Sequence, residues 1–194
     1  MVKVGWIIYK VYRGWGLIRR KYSSLIFRGA VGKCGRNVDI MPEFWIEGGK
    51  YIFIGNNFAA RRGLRIEAWD RYRKYTYTPT INIGNGVRVG EHCHIGAIDE
   101  VDIGNNVLMG SKVYITDHHH GDTCEDDLLQ LPVERRLYSK GKVVIEDNVF
   151  IGDNAVIMPG VKVGHNSVIA ANAVVTKNVL PFSVIGGVPG RQLV

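Results

Sequence analysis

The sequence predicts an all-β fold, a parallel β-helix whose short strands wind round a common axis. Three observations predict it. From position 145 a branched aliphatic recurs every six residues, at Ile145, Ile151, Ile157, Val163, Ile169 and Val175. Four residues after each stands a small or β-branched residue: Val149, Ala155, Val161, Ser167, Ala173 and Val179. Three residues after each stands Asn148, Asn154, Gly160, Asn166, Asn172 or Asn178.

Each residue type has a physical reason to be where it is. β-Branched side chains favour extended backbone, and Asn and Gly tolerate the left-handed conformation of a tight corner. Strand, corner and strand every six residues make a coil with flat sides. One coil cannot bury its aliphatic stripe alone, so coils must stack. A helix of period 3.6 would scatter these positions around its axis, which excludes it.

Taken in order, residues 1–30 form a basic amphipathic segment, predicted as a short helix. Val4, Ile7, Ile8, Val11, Trp15, Ile18 and Tyr22 fall on one helical face, and Lys3, Lys10, Arg13, Arg20 and Lys21 on the other. Gly5, Gly14 and Gly16 weaken it. The segment suits two tasks: capping the open end of the coil, which is the preferred reading, or peripheral contact with a membrane surface. Residues 31–194 carry the repeat, with traces at Val31-Gly32 and Ile54-Gly55-Asn56-Asn57. A clear block runs from Ile83-Gly84-Asn85-Gly86-Val87 to Met109-Gly110. Residues 68–80 and 116–143 break the register, and the longer break is predicted as a looped-out insertion. Such interruptions leave a solenoid as loops, where function is often carried.

Composition narrows the class. Of 194 residues, 46% are hydrophobic and 22% charged, as in an ordinary globular domain. No stretch approaches the roughly 20 apolar residues needed to span a bilayer, and the N-terminus has no secretory signal pattern. Cys34, Cys93 and Cys124 are odd in number and form no CxxC pair, which favours reduced thiols in a cytoplasmic protein. The formal charge of +7 is uneven, because residues 1–38 hold nine Lys/Arg and no acid. The basic character belongs to one end, and without a supporting motif it does not indicate nucleic-acid binding.

The segments VVIEDNVFIGDNAVIMPGVKVGHNSVIAANAVVTKNV (143–179), GGVPGR (186–191) and ITDHHHGD (115–122) resemble the hexapeptide-repeat acyltransferases, in particular the galactoside, maltose and polysaccharide O-acetyltransferases. The likeness covers roughly residues 31–194. It implies a left-handed coil of about three hexapeptides per turn, an exception to the usual crossover handedness. It also implies a homotrimer with active sites in clefts between subunits, and acetyl-coenzyme A lying along the coil as co-substrate. The implied reaction is acetyl transfer to a hydroxyl of a saccharide acceptor in surface polysaccharide biosynthesis.

Acetyl transfer from a thioester to an alcohol requires a base for the hydroxyl proton. Histidine suits it, since its pKa near 6.5 leaves it mostly neutral at working pH. The resemblance implies a single such histidine within His118-His119-His120. Matching the residues on its C-terminal side favours His118; counting from Ile115 favours His120. His118 is preferred, with Asp117 or Asp122 to orient its ring. His92 and His94 are candidates for the space between subunits, and His92 and Asp99 for holding the acceptor. Against relatives, Asp153, Ala171, Thr176, Lys177 and Arg191 occupy coenzyme-contacting positions; cations there suit the phosphates.

Two other classes fit the repeat. A zinc lyase of the carbonic anhydrase kind shares the coil and would draw on His92, His94 and residues 118–120, but leaves AANAVVTK and GGVPGR without a task; the preferred reading needs no metal. A non-catalytic interaction module would show no affinity for acetyl-coenzyme A.

Overall fold

Strands of two to four residues follow one another through three sheets of six, eight and six strands. The first sheet runs Lys33–Cys34, Ile52–Ile54, Thr80–Ile83, Glu100–Ile103, Val143–Ile145 and Lys162–Val163. The second runs from Asp39–Ile40 through Ala59–Ala60, Arg88–Val89, Leu108–Met109, Phe150–Ile151 and Val168–Ile169 to Val184–Gly186. The third holds Trp45–Glu47, Arg65–Ala68, His94–Ala97, Tyr114–Thr116, Val156–Ile157 and Val174–Val175. The chain visits the three in rotation, and neighbours within each are parallel; the exception is the last strand of the second sheet, Arg191–Gln192, which returns antiparallel along Val184–Gly186. This computed structural model describes residues 2–122 and 124–193, without the side chains of residues 2–4, 7, 8 and 11–13. The expected facing of Val4, Ile7, Ile8, Val11, Lys3 and Arg13 therefore lies outside the described residues.

The six-residue period becomes the register. Ile145 lies opposite Val163, Ile151 opposite Ile169 and Ile157 opposite Val175, each pair 18 residues apart, or three hexapeptides. These six side chains and the six small ones between them are buried. The corners at Asn148, Asn154, Gly160, Asn166 and Asn172 are left-handed, with φ between 56° and 77°. Asn178 departs from that expectation. Phe182 (φ 59°) takes the next left-handed corner, while the Asn178 side chain accepts the Lys162 N–H at 2.8 Å. The strict period has already ended there as the chain turns towards its antiparallel return.

Side-chain oxygens at one row of corners link successive coils. The backbone N–H groups of Arg36, Asn56, Asn85 and Asn105 donate to the side chains of Asn56, Asn85, Asn105 and Asp147 in turn, at 2.6–2.9 Å. These bonds satisfy corner amides that no strand partner reaches.

The N-terminal segment is a single helix, Val2–Ala30, of 29 residues and not a short one. Glycine keeps its backbone N–H, so each costs about 1 kcal/mol without breaking the ladder, whereas the first proline comes only at Pro42. The last third of the helix covers the end of the coil. Phe27 is fully buried against Phe44 and Phe58, with ring centroids 5.5 and 6.0 Å away. Ser24 Oγ accepts the Ile40 N–H at 2.9 Å, and Arg20 pairs with Asp39. No helix is long and apolar enough to cross a membrane, among the described residues.

Both breaks in the repeat fold into small structures. Residues 68–80 contain an antiparallel hairpin, Arg71–Tyr72 with Tyr75–Thr76. Beyond Thr116 the chain forms His118–His120, a helical turn Glu125–Leu128 and Leu137–Ser139, which pairs antiparallel with the histidines. The two excursions dock on one another. Tyr77 Oη exchanges hydrogen bonds with the Leu137 backbone at 2.9 and 3.1 Å. Tyr72 Oη and Arg73 Nε donate to the Val133 carbonyl at 3.0 and 3.2 Å.

Candidate active site

The third sheet and the first residues of the long excursion build the site together. The register aligns Glu67, Gly96 and Thr116 in one row, and Arg65, His94 and Tyr114 two positions away on the same face. After Thr116 the chain leaves the coil, and Asp117 turns inward. Its carboxylate is fully buried and accepts the N–H groups of Ile98 (3.0 Å) and Asp99 (2.8 Å). A buried carboxylate needs such donors to remain ionised.

His118 Nδ1 lies 2.8 Å from Asp117 Oδ1 and 3.1 Å from Thr116 Oγ1. A carboxylate oxygen accepts, so Nδ1 is the donor of this pair and Nε2 is turned away from it. The His118 side chain is 13% exposed. The pair fixes the direction of the imidazole and leaves Nε2 as its one nitrogen not held by the carboxylate. Of the two residues expected to orient the ring, Asp117 touches it; Asp122 instead accepts the Cys124 N–H and lies near Arg136.

A second histidine stands beside the first. A Cβ on Gly96 would lie 3.4 Å from His118 Cε1 and 3.6 Å from His94 Nε2, so the two rings flank this bare stretch of backbone. His94 Nε2 is 3.0 Å from Glu67 Oε2, and Arg65 Nε is 2.7 Å from Glu67 Oε1. Burial of Glu67 disfavours its charge, but the hydrogen bonds and charges of His94 and Arg65 outweigh that and hold its carboxyl below the usual range. Glu67 and Thr116 were not among the residues singled out from sequence. The signal was faint, because Glu67 and Gly96 are 29 residues apart and share a row only once the hairpin is looped out.

The remaining histidines and Asp99 are placed less directly. His120 is exposed, its ring edge-on to Tyr72 at 5.3 Å, and burial, His118 and Arg135 lower its pKa. Burial, Lys140 and His118 do the same to His119. His92 occupies a left-handed corner (φ 55°) with its ring over Gly63, where a Cβ would lie 2.2 Å from Nδ1. The geometry therefore sets His94, not His92, beside His118. Asp99 reaches the dyad through its backbone N–H, while its side chain is exposed.

Of the coenzyme candidates, Lys177 and Arg191 line one cavity of about 380 Å³ with Val175, Leu180 and Ile185 at the C-terminal end of the coil. Thr176 is exposed next to them. Asp153 has a structural task, accepting the Ser111 N–H at 2.6 Å as Asp147 does for Asn105. Ala171 is a corner residue stacked on Gly152, where a Cβ would lie 2.6 Å from the Ala171 nitrogen. A groove of about 950 Å³ follows the outer face of the first sheet and contains none of the expected site residues. Among the described residues, three metal-capable side chains converge only at Asp122, Cys124 and Asp127, not at the histidines.

Comparison with known proteins agrees with this architecture. Residues 142–177 match the family model described as bacterial transferase hexapeptide (six repeats). WbbJ of Escherichia coli K12, named provisionally as a lipopolysaccharide biosynthesis O-acetyl transferase, is 35% identical over 143 residues, covering 72% of this chain and 69% of that protein. The galactoside O-acetyltransferase of Escherichia coli K12 is 34% identical over 178 residues, covering 89% and 68%. A structure of galactoside acetyltransferase in complex with coenzyme A superposes with a TM-score of 0.53 at 29% identity, covering 86% of this chain and 66% of that one. A repeat that sets the register of three parallel sheets, matched by relatives along most of their length, makes this chain a member of the hexapeptide-repeat acyltransferase family.

Proposed function

We propose that the protein transfers an acetyl group from acetyl-coenzyme A to a saccharide hydroxyl, with His118 as general base. The observation that carries this is the Asp117–His118 pair, whose geometry leaves Nε2 as the lone basic nitrogen of a fixed ring. In this reading Nε2 takes the acceptor hydroxyl proton as its oxygen attacks the thioester carbonyl. Backbone N–H groups steady the tetrahedral oxyanion. As that intermediate collapses, the C–S bond breaks and the imidazolium returns its proton to the departing thiolate.

Direct transfer, without an acyl-enzyme, is supported by the state of the cysteines. Cys93 is buried and its thiol is pushed up by desolvation, and the thiols of Cys34 and Cys124 are raised as well; a nucleophilic cysteine needs the opposite. The names of the relatives support an O-linked acceptor, and that of WbbJ supports a surface polysaccharide or its precursor. In this reading Lys177 and Arg191 meet the coenzyme phosphates, and Asp99 and His94 meet the acceptor. The reading includes a left-handed coil, a homotrimer that closes each site between two subunits, and a cytoplasmic location.

The test is acetyl-coenzyme A turnover against a panel of saccharides, with His118→Ala and His120→Ala in parallel. His118→Ala should lower kcat by about 10²–10⁴-fold, while His120→Ala keeps most activity. Full activity in His118→Ala would end the assignment.

A further inference from the structure

Residues 20–30 of the N-terminal helix use one face against the coil, and the apolar face is a different one. At 100° per residue, Ser23 and Phe27 point to the coil, where they are 8% and 0% exposed. Trp15, Ile18, Tyr22, Leu25 and Ile26 gather on the opposite side, and each is 51–67% exposed. A soluble helix normally turns such a stripe inward. Here the cap uses a serine and a phenylalanine, and the stripe is left outside over most of three turns.

The charges around the stripe bear on what covers it. Lys10, Arg19, Lys21 and Arg28 are exposed. Arg20 is the helix cation paired with a carboxylate among the described residues. Residues 1–38 carry nine cations and no acid. Packing this face on the same face of another copy would bring like charges together. An anionic surface with an apolar interior satisfies both features: the stripe enters the acyl boundary and the cations meet headgroups. The helix, at about 43 Å, exceeds the bilayer core of about 30 Å; its seven basic residues favour lying in the interface over crossing it.

We propose that the N-terminal helix docks the protein on an anionic lipid bilayer, with Trp15, Ile18, Tyr22, Leu25 and Ile26 inserted and Arg19, Lys21 and Arg28 at headgroup level. This rests on the helix alone and is independent of the chemistry proposed for His118.

Flotation of the full chain with phosphatidylcholine vesicles, with and without about 30% phosphatidylglycerol, tests it. The expected result is at least tenfold stronger partitioning onto the anionic vesicles at about 0.1 M salt, falling at about 0.5 M as charges are screened. Arg19→Glu/Lys21→Glu should weaken binding at least tenfold, at about fivefold per cation, and Trp15→Glu/Leu25→Glu should abolish it. These side chains are exposed, so both variants should keep their circular dichroism and any turnover of soluble acceptor, which separates a docking failure from a catalytic one. Equal partitioning onto both vesicle types overturns the proposal. So does an unbound wild type whose Trp15→Glu/Leu25→Glu variant forms a smaller assembly by light scattering, since the stripe would then be covered by a second copy.

Discussion

Replacing Asp117 by asparagine changes one buried carboxylate into an amide of the same shape, with consequences that the hydrogen bonds around it define. The carboxylate accepts three bonds: Ile98 N–H at 3.0 Å, Asp99 N–H at 2.8 Å and His118 Nδ1–H at 2.8 Å. An asparagine keeps one acceptor oxygen, which can serve the two backbone donors from where Oδ2 now stands, at 3.2 and 2.8 Å. Its amide group then faces His118 Nδ1 and donates to it. The ring must switch tautomer, so Nε2 carries the proton and can no longer take one. Losing a charge-assisted bond costs about 1.5–3 kcal/mol of stability, and the new amide nitrogen faces the Ile98 N–H 3.0 Å away, yet both backbone donors keep an acceptor and the fold should persist. Losing general-base function costs about 10²–10⁴ in rate. Steady-state kinetics of Asp117→Asn should therefore show kcat reduced at least about 100-fold with KM for acetyl-coenzyme A nearly unchanged, since Asp117 lies buried behind the imidazole and away from Lys177 and Arg191. A purified, folded Asp117→Asn enzyme with wild-type kcat would refute the tautomer argument, and with it the role assigned to the pair.

Three further outcomes are expected. Glu67 has a folded pKa below its unfolded one, so its contribution to stability is fully present above the unfolded value of about 4.3 and is lost as pH falls through the folded value; Glu67→Gln should flatten that acid limb in urea titrations taken at successive pH. Lys177→Ala and Arg191→Ala should each raise KM for acetyl-coenzyme A by about tenfold, the loss of one charge-assisted contact, with kcat little changed. Asn172→Ala should destabilise the fold by about 1 kcal/mol, because its corner has φ 61°, whereas Asn172→Gly should be close to neutral in denaturant unfolding.

Local chemistry alone carried much of the fold. A branched aliphatic every six residues, with Asn or Gly three later, was legible as a stack of short strands because period and corner chemistry are properties of neighbouring residues. Ile145, Ile151 and Ile157 are buried in the parallel ladders that this pattern requires. The helix was legible as amphipathic, but not its length, since glycine weakens a helix without ending it. The candidate site was legible only where it is local: Asp117 and His118 are adjacent in the chain.

What the sequence by itself determined is the set of residues that point inward, the corners that must turn, and the charge imbalance that sets residues 1–38 apart from the rest. Only the tertiary structure decided which side chains meet. Glu67, His94 and Gly96 join His118 because the coils between them have unequal lengths, so that residues 29 apart in one step and 20 in the next stand in one row. The same stacking sets Asp153 on a corner amide and places His92 over Gly63. Docking of Phe27 into the end of the coil turns the apolar stripe of the helix outward. Register along stacked parallel strands is summed from every insertion before it, and no window of six residues contains that sum.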